Sequence, residues 1–206
     1  SNLMGKLSCD LMFFAKNKII YLLCADTLTS FILVQLMRRK TSQSTNLAME
    51  KILSRIPKKF KVDEVHFDQG REFASIDKVL TPRHINKRIL PTYQKSAAAE
   101  SAISRVKELF RRFRTDTNSK NIIKFMPHLV ATLNKRINRN TGQSALEALA
   151  ENEPGKIYRQ KYEKDILKNY DLALSATSKY TLDQPVRIRN FKTAAEEKSR
   201  FKPPLS

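Results

Sequence analysis

The chain predicts an α/β fold, a mixed sheet flanked by helices, followed by a basic extension. Three observations carry this expectation. Residues 6 to 37 hold three apolar runs divided by short polar turns, the pattern of consecutive strands. Beyond them, strand-like runs alternate with segments of helical periodicity, as strand-to-helix crossings do. From Glu151 onward the composition shifts, and residues 151–206 have too few apolar side chains for a core of their own. Residues 1–150 are therefore expected to form the main domain.

The length of 206 residues allows one domain of ordinary size plus an appendage. Hydrophobic content of 41% and charged content of 29% are ordinary for a globular chain. The charge balance is not, because 39 Lys and Arg oppose 20 Asp and Glu, a formal net charge of +19. Charge runs are usually solvated faces, but an excess of this size points to a polyanion, since neutralising phosphates releases condensed counterions. Nucleic acid is the expected partner. No apolar stretch has transmembrane length and no signal peptide is visible, so the chain is expected inside the cell and off the membrane. Cys9 and Cys24 sit in apolar runs and are expected as buried free thiols. His66, His84 and His128 are scattered, without zinc-finger spacing.

Leu7–Phe14 is the first strand, and the polar run to Lys18 is its hairpin turn. Ile19–Ala25 is apolar on both faces and reads as a central strand. Asp26–Ser30 turns the chain into a third strand, Phe31–Met37. After Arg38-Arg39-Lys40, a helix is expected from about Asn46 to Arg55, burying Leu47, Met49, Ile52 and Leu53, with Ser44 or Thr45 as cap. Pro57 ends it. Val62–Phe67 is a short strand that delivers Asp68, and Gly70 is expected to let the backbone turn sharply. A short helix from Glu72 to about Leu80 stops at Pro82, and Lys87–Pro91 is the last strand. The next helix, from Ser96 to about Arg114, buries Ala99, Ile103, Val106, Leu109, Phe110 and Phe113. Beside that face Glu100, Ser104, Lys107 and Arg111 form a polar stripe. Ser119 or Asn121 opens a helix to about Arg136, burying Ile122, Ile123, Phe125, Met126, Leu129, Val130 and Leu133. A short helix, Ser144–Ala150, follows the turn at residues 140–143, and Gln184–Arg189 looks like one further strand.

Asp10 is the odd residue of the first strand. A carboxylate in an apolar strand costs several kcal/mol unless it is paired or metal-bound; the alternative is a solvent-facing strand edge. If the strands bearing Asp10 and Asp68 lie side by side, both carboxylates can bridge one metal ion, and a helix start can bring Glu100 to a second. Hard oxygen ligands from separate elements suit Mg²⁺ and leave room for phosphate oxygens. Two such ions about 3.5–4 Å apart activate a water or 3′-hydroxyl and stabilise the leaving oxygen.

These residues also carry a family resemblance. Cys9-Asp10-Leu11-Met12 with the run Tyr21 to Ser30 resembles the opening of the integrase catalytic core of retroviruses, LTR retrotransposons and Maverick/Polinton-type elements. His66-Phe67-Asp68-Gln69-Gly70-Arg71-Glu72-Phe73 is similar to the second aspartate motif of that family, and Lys95-Ser96 through Glu100-Ser101 to Lys107 is similar to its glutamate helix. Asn134 with Thr141-Gly142-Gln143-Ser144 and Glu147 resembles its later signature. Val186-Arg187-Ile188-Arg189 weakly resembles the start of its SH3-like domain. The resemblance covers roughly residues 6–150 well, with four motifs in order.

The resemblance implies an RNase H-like five-stranded mixed sheet and a catalytic and metal-binding triad of Asp10, Asp68 and Glu100. It implies two Mg²⁺ ions, with Mn²⁺ as substitute, and DNA contacts at Lys107, with Arg105 and Arg111 placed beside it. The activity implied is processing of DNA 3′ ends and their joining to target DNA. Double-stranded DNA, a homo-oligomer (dimer or higher), chromatin proteins and a nuclear location follow as expectations. Departures exist. Only 31 residues separate Asp68 from Glu100 (69 to 99), fewer than in most retroviral relatives. Ala145 stands where the signature has Pro, and the tail reads Leu182-Asp183-Gln184 before a barrel could close. No His-His-Cys-Cys zinc domain precedes the core in this chain. These fit a degenerate or domesticated copy, so the alternative is an integrase-derived DNA- or chromatin-binding module that no longer needs catalysis. An RNase H-type nuclease shares the metal site but leaves the Asn134-to-Glu147 signature unexplained.

Overall fold

The computed structural model describes residues 3–15, 18–58, 60–91, 96–118, 121–138 and 142–150, with 160, 163–165 and 167–168. The chain divides into two compact units, Ser1–Glu163 and Lys164–Ser206. The strand expected at Gln184–Arg189 lies outside the described residues.

Strands β1 (Leu3–Phe14), β2 (Ile19–Asp26) and β3 (Ile32–Met37) form an antiparallel meander, as their apolar runs and short turns require. The β2–β3 turn is closed by the Asp26 carboxylate, which accepts from both the N–H and the hydroxyl of Thr29 at 2.6 Å. Strands β4 (Lys61–Phe67) and β5 (Asn86–Ile89) add parallel to β1, giving the order β3-β2-β1-β4-β5. Parallel neighbours need crossovers, and helices supply them. The five-stranded mixed sheet of an RNase H-like α/β fold is thus in place.

Helices cover both faces. On one side α1 (Ser42–Arg55) and the β4–β5 connection bury Met49, Ile52, Phe73, Ile76 and Leu80 against Leu7, Cys9, Leu11 and Phe67. On the other, α3 (Ala97–Thr117) and α4 (Ile122–Lys135) bury Ala99, Ala102, Val106, Met126 and Leu133 against Met12, Tyr21 and Leu23. Among the described residues no helix is long and apolar enough to cross a membrane.

Several sequence expectations are corrected. The β4–β5 connection is not one helix from Glu72. It is a 3₁₀ turn (Arg71–Phe73), a single α turn named α2 (Asp77–Leu80), and a second 3₁₀ turn (Thr81–Arg83) that contains Pro82. A 3₁₀ turn accepts proline near its start, where the missing N–H would be unpaired anyway. Helix α1 begins four residues earlier than expected, capped by Thr41, whose hydroxyl accepts from the Ser44 N–H. Leu47 and Ile123, expected in the core, are 54% and 48% exposed, and both border a surface groove with Lys18, Arg38 and Lys51. Cys9 and Cys24 are not free thiols. They stand opposite each other on β1 and β2, fully buried, and are joined as a disulfide.

Signature residues in and after α4 hold the fold together. Asn134, 7% exposed, accepts from the Ile32 N–H at 2.8 Å and donates to the Ile32 carbonyl at 2.9 Å, pinning α4 to the first residue of β3. Helix α5 (Ala145–Ala150) opens with a capping box. Ser144 Oγ accepts from the Glu147 N–H while Glu147 Oε2 accepts from the Ser144 N–H. The Ser144 N–H and hydroxyl hold the Glu147 carboxyl below the ordinary carboxylate range.

Candidate active site

Asp10 lies on β1 opposite Leu23 of β2, on the pleat face it shares with Ser8 and Met12. Parallel β1 and β4 are paired up to Ser8 and His66. Asp10 and Asp68 each stand two residues beyond that last pair, where the parallel ladder ends, with Asp10 still inside β1 and Asp68 just past the end of β4. Open α/β sheets place their sites at such ends. The Asp68 carboxylate folds back to accept from the Gly70 N–H at 3.1 Å.

Glu100 comes to the same end of the sheet through Ser8, a residue that no sequence signal marks. Its hydroxyl accepts from the Ala99 N–H at 3.2 Å and hydrogen-bonds the hydroxyl of Ser96, the residue before α3. A side chain from β1 therefore performs the capping usually done from within the helix. Two positions along the strand from this bond is Asp10; one residue along the helix is Glu100. Ser8→Ala is expected to destabilise the fold by about 1 kcal/mol, read as a lower urea midpoint, and to lower any activity that needs Glu100 beside Asp10.

Electrostatics link Asp10 to acidic residues of separate elements. Burial pushes the Asp10 carboxyl above the ordinary carboxylate range, and the charges of Asp68, Glu100 and Glu72 push it the same way, against the Leu11 N–H that donates to it at 2.6 Å. Three acidic residues distant in sequence thus act on Asp10, and Glu72 was not among those expected. Glu72 is 9% exposed and pairs with Lys40 at 3.2 Å. Its carboxylate also explains Gly70. That residue has φ −69°, which any residue adopts, so backbone freedom is not the reason for glycine. A Cβ there would lie 2.8 Å from the Glu72 carboxyl carbon.

The polar stripe of α3 is exposed at Glu100, Ser104, Lys107 and Arg111. Lys107 faces solvent on it. Arg111 does too, but its guanidinium forks onto Glu108 at 3.1 and 2.5 Å. Arg105 lies off the stripe and is half-buried. Among the described residues no group of three or more His, Cys, Asp or Glu side chains is gathered as a ready metal cage. The donor set of Asp10, Asp68 and Glu100 still fits a hard cation, since all three supply carboxylate oxygens and their mutual repulsion falls when one binds.

No protein-family model and no curated protein sequence matches the chain. Solved structures do. A chain of the simian T-cell lymphotropic virus intasome in complex with PP2A regulatory subunit B56 gamma superposes with a TM-score of 0.66 at 15% identity, covering 73% of this chain and 56% of that one. The catalytic core domain of BIV integrase gives 0.58 at 18% identity, over 78% and 97% of the two chains. The fold is that of a retroviral integrase catalytic core. The HTLV-2 integrase catalytic core domain, solved in complex with magnesium in a trimeric form, gives 0.57 at 18% identity, over 69% and 92%. The chain spans little more than half of the intasome chain it matches.

Proposed function

We propose that this chain is an integrase-type polynucleotidyl transferase, which trims DNA 3′ ends and joins the exposed hydroxyls to target DNA. The observation that carries the reading is the set of acidic charges around Asp10, brought from β1, the end of β4 and the first turn of α3. Fold likeness alone would not carry it, because one fold hosts many chemistries.

Asp10, Asp68 and Glu100 would hold Mg²⁺, or Mn²⁺ in its place, as two ions. When bound, these activate the attacking oxygen and stabilise the charge on the leaving one. The chain's own residues do the rest. Ser8 and Ser96 keep Glu100 in register with Asp10, and the Asp68 turn holds the second aspartate at the strand end. Lys107, one side of the helix with Glu100, takes a DNA phosphate, with Arg111 and Arg105 beside it. In strand transfer the 3′-hydroxyl oxygen forms the new P–O bond, and the target strand's 3′-oxygen leaves and takes up a proton. The net charge of +19 supplies sequence-independent affinity for the duplex. A homo-oligomer that brings two DNA ends together, contact with chromatin proteins and a nuclear location belong to the same reading.

The test is incubation with Mg²⁺ or Mn²⁺ and a labelled duplex, beside Asp68→Asn. Strand-transfer products that vanish in the variant are expected. Binding without cleavage in either protein would favour the DNA-binding module instead.

A further inference from the structure

Lys40 and Glu72 are 32 positions apart in the chain, yet the structure makes them one device next to Asp68. Glu72 is an almost buried charge, 9% exposed, and Lys40 meets it from the rim with half of its own side chain in solvent. Removing one partner of such a pair is costly because the other charge is left buried and uncompensated. The Lys40 ammonium is also 5.7 Å from the centre of the Phe13 ring on β1.

Glu72 sits in a short, tightly tied segment. Phe67 before it and Phe73 after it are both in the core, with ring centres 4.7 Å apart. Between them the Gly70 carbonyl accepts from the Phe73 N–H at 3.0 Å, and the Ser42 hydroxyl donates to the Arg71 carbonyl at 3.1 Å. The Glu72 carboxylate fills the space that a Cβ on Gly70 would enter, and the Gly70 N–H donates to Asp68. Lys40, Glu72, Gly70 and the Asp68 carboxylate thus lie in succession, joined by an ion pair at one end and a hydrogen bond at the other.

We propose that Glu72, clamped by Lys40, is a positioning residue that fixes the turn bearing Asp68 so that its carboxylate faces Asp10. The inference rests on reading Asp68 as a metal-holding residue. Glu72 stays one layer back, its charge neutralised by Lys40 rather than offered to the ion. Lys40, at the start of α1, thereby couples the edge of the sheet to the site.

Two readouts test it with Glu72→Gln and Lys40→Met. Hydrogen–deuterium exchange on the metal-free protein reads residues 68–74 without any catalysis. Faster exchange there than in the wild type is expected, with β1 and β2 unchanged. The Mg²⁺ concentration for half-maximal strand transfer is expected to rise about 10-fold, the low end for losing a group that orients a metal ligand. Lys40→Arg keeps the charge and is expected to restore both, which a purely structural loss of the lysine stem would not. If exchange and Mg²⁺ dependence match a responsive wild type in both variants, the positioning role is overturned and the proposed function stands. A wild type indifferent to Mg²⁺ in transfer overturns the proposed function and this role with it.

Discussion

Asp10→Asn is expected to act in two opposite directions: strand transfer falls, while the metal-free protein becomes harder to melt. The loss follows from the metal-holding role proposed for its carboxylate, whose removal forfeits several kcal/mol of transition-state stabilisation; about 4 kcal/mol is roughly a thousandfold in rate. The gain follows from electrostatics. Asp10 is partly buried on the helix-covered face of β1, and Asp68, Glu100 and Glu72 all oppose its ionisation. Its carboxyl therefore holds a proton in the folded chain at pH values where the unfolded chain has released it. The folded state binds more protons across that window, so stability falls as pH rises from the ordinary value of 3.8 through the raised one. Below the window this cost is absent; above it the cost is complete. Asparagine removes it, so the variant should show a higher Tm at neutral pH without metal and a flatter Tm profile through the acidic range. A variant that loses activity and also melts earlier would place Asp10 in the framework rather than the site.

Asn134→Ala should give the largest loss of stability. Its side chain satisfies both the N–H and the carbonyl of Ile32, at the entrance to an edge strand 102 residues away in sequence. Alanine leaves two buried backbone groups without partners. At about 1–3 kcal/mol each, the expected destabilisation is about 3 kcal/mol after partial relaxation. Equilibrium denaturation should show it as a lower midpoint. Circular dichroism near neutral pH should still report a folded chain, and the DNA binding proposed for the helix stripe should persist. A loss below about 1 kcal/mol would mean that water replaces the amide, as it can at an exposed site. The residue belongs to a signature that carries the family resemblance, and its geometry is that of a clamp. The same holds for Ser144 and Glu147, which cap α5.

What was legible in the sequence was local. Three apolar runs with polar turns between them became β1, β2 and β3 because strand periodicity is written in adjacent residues. Asp10 stands out because a carboxylate within an apolar strand needs a reason, and the structure adds that three further acidic charges act on it. The buried side of α3 followed from spacing, with Ala99 and Val106 in the core as expected. Other features needed a second element to acquire meaning. Thr41, Ser44 and Thr45 can all cap a helix, and only the tertiary start of α1 chooses Thr41. Ser8 is an unremarked hydroxyl until α3 begins above it. Cys9 and Cys24 look like ordinary core thiols until strand register sets them face to face. Leu47 and Ile123 satisfy helical periodicity, but each lies at the border of its apolar face, where a basic groove opens instead of a core. In the sequence Glu72 is a motif residue and a helix start, since nothing local reveals Lys40 as its partner.

The central claim is that Asp10, Asp68 and Glu100 share divalent ions, and a Mg²⁺ titration of thermal stability tests it most directly. An ion that binds only the folded chain stabilises it by about 2.7 kcal/mol at a hundred times its dissociation constant. The wild type should therefore melt progressively later as Mg²⁺ is added, while Asp10→Asn and Asp68→Asn, measured beside it at the same ionic strength, should not respond. A wild-type melting temperature indifferent to Mg²⁺ and Mn²⁺, or an equal rise in both variants, would contradict the account.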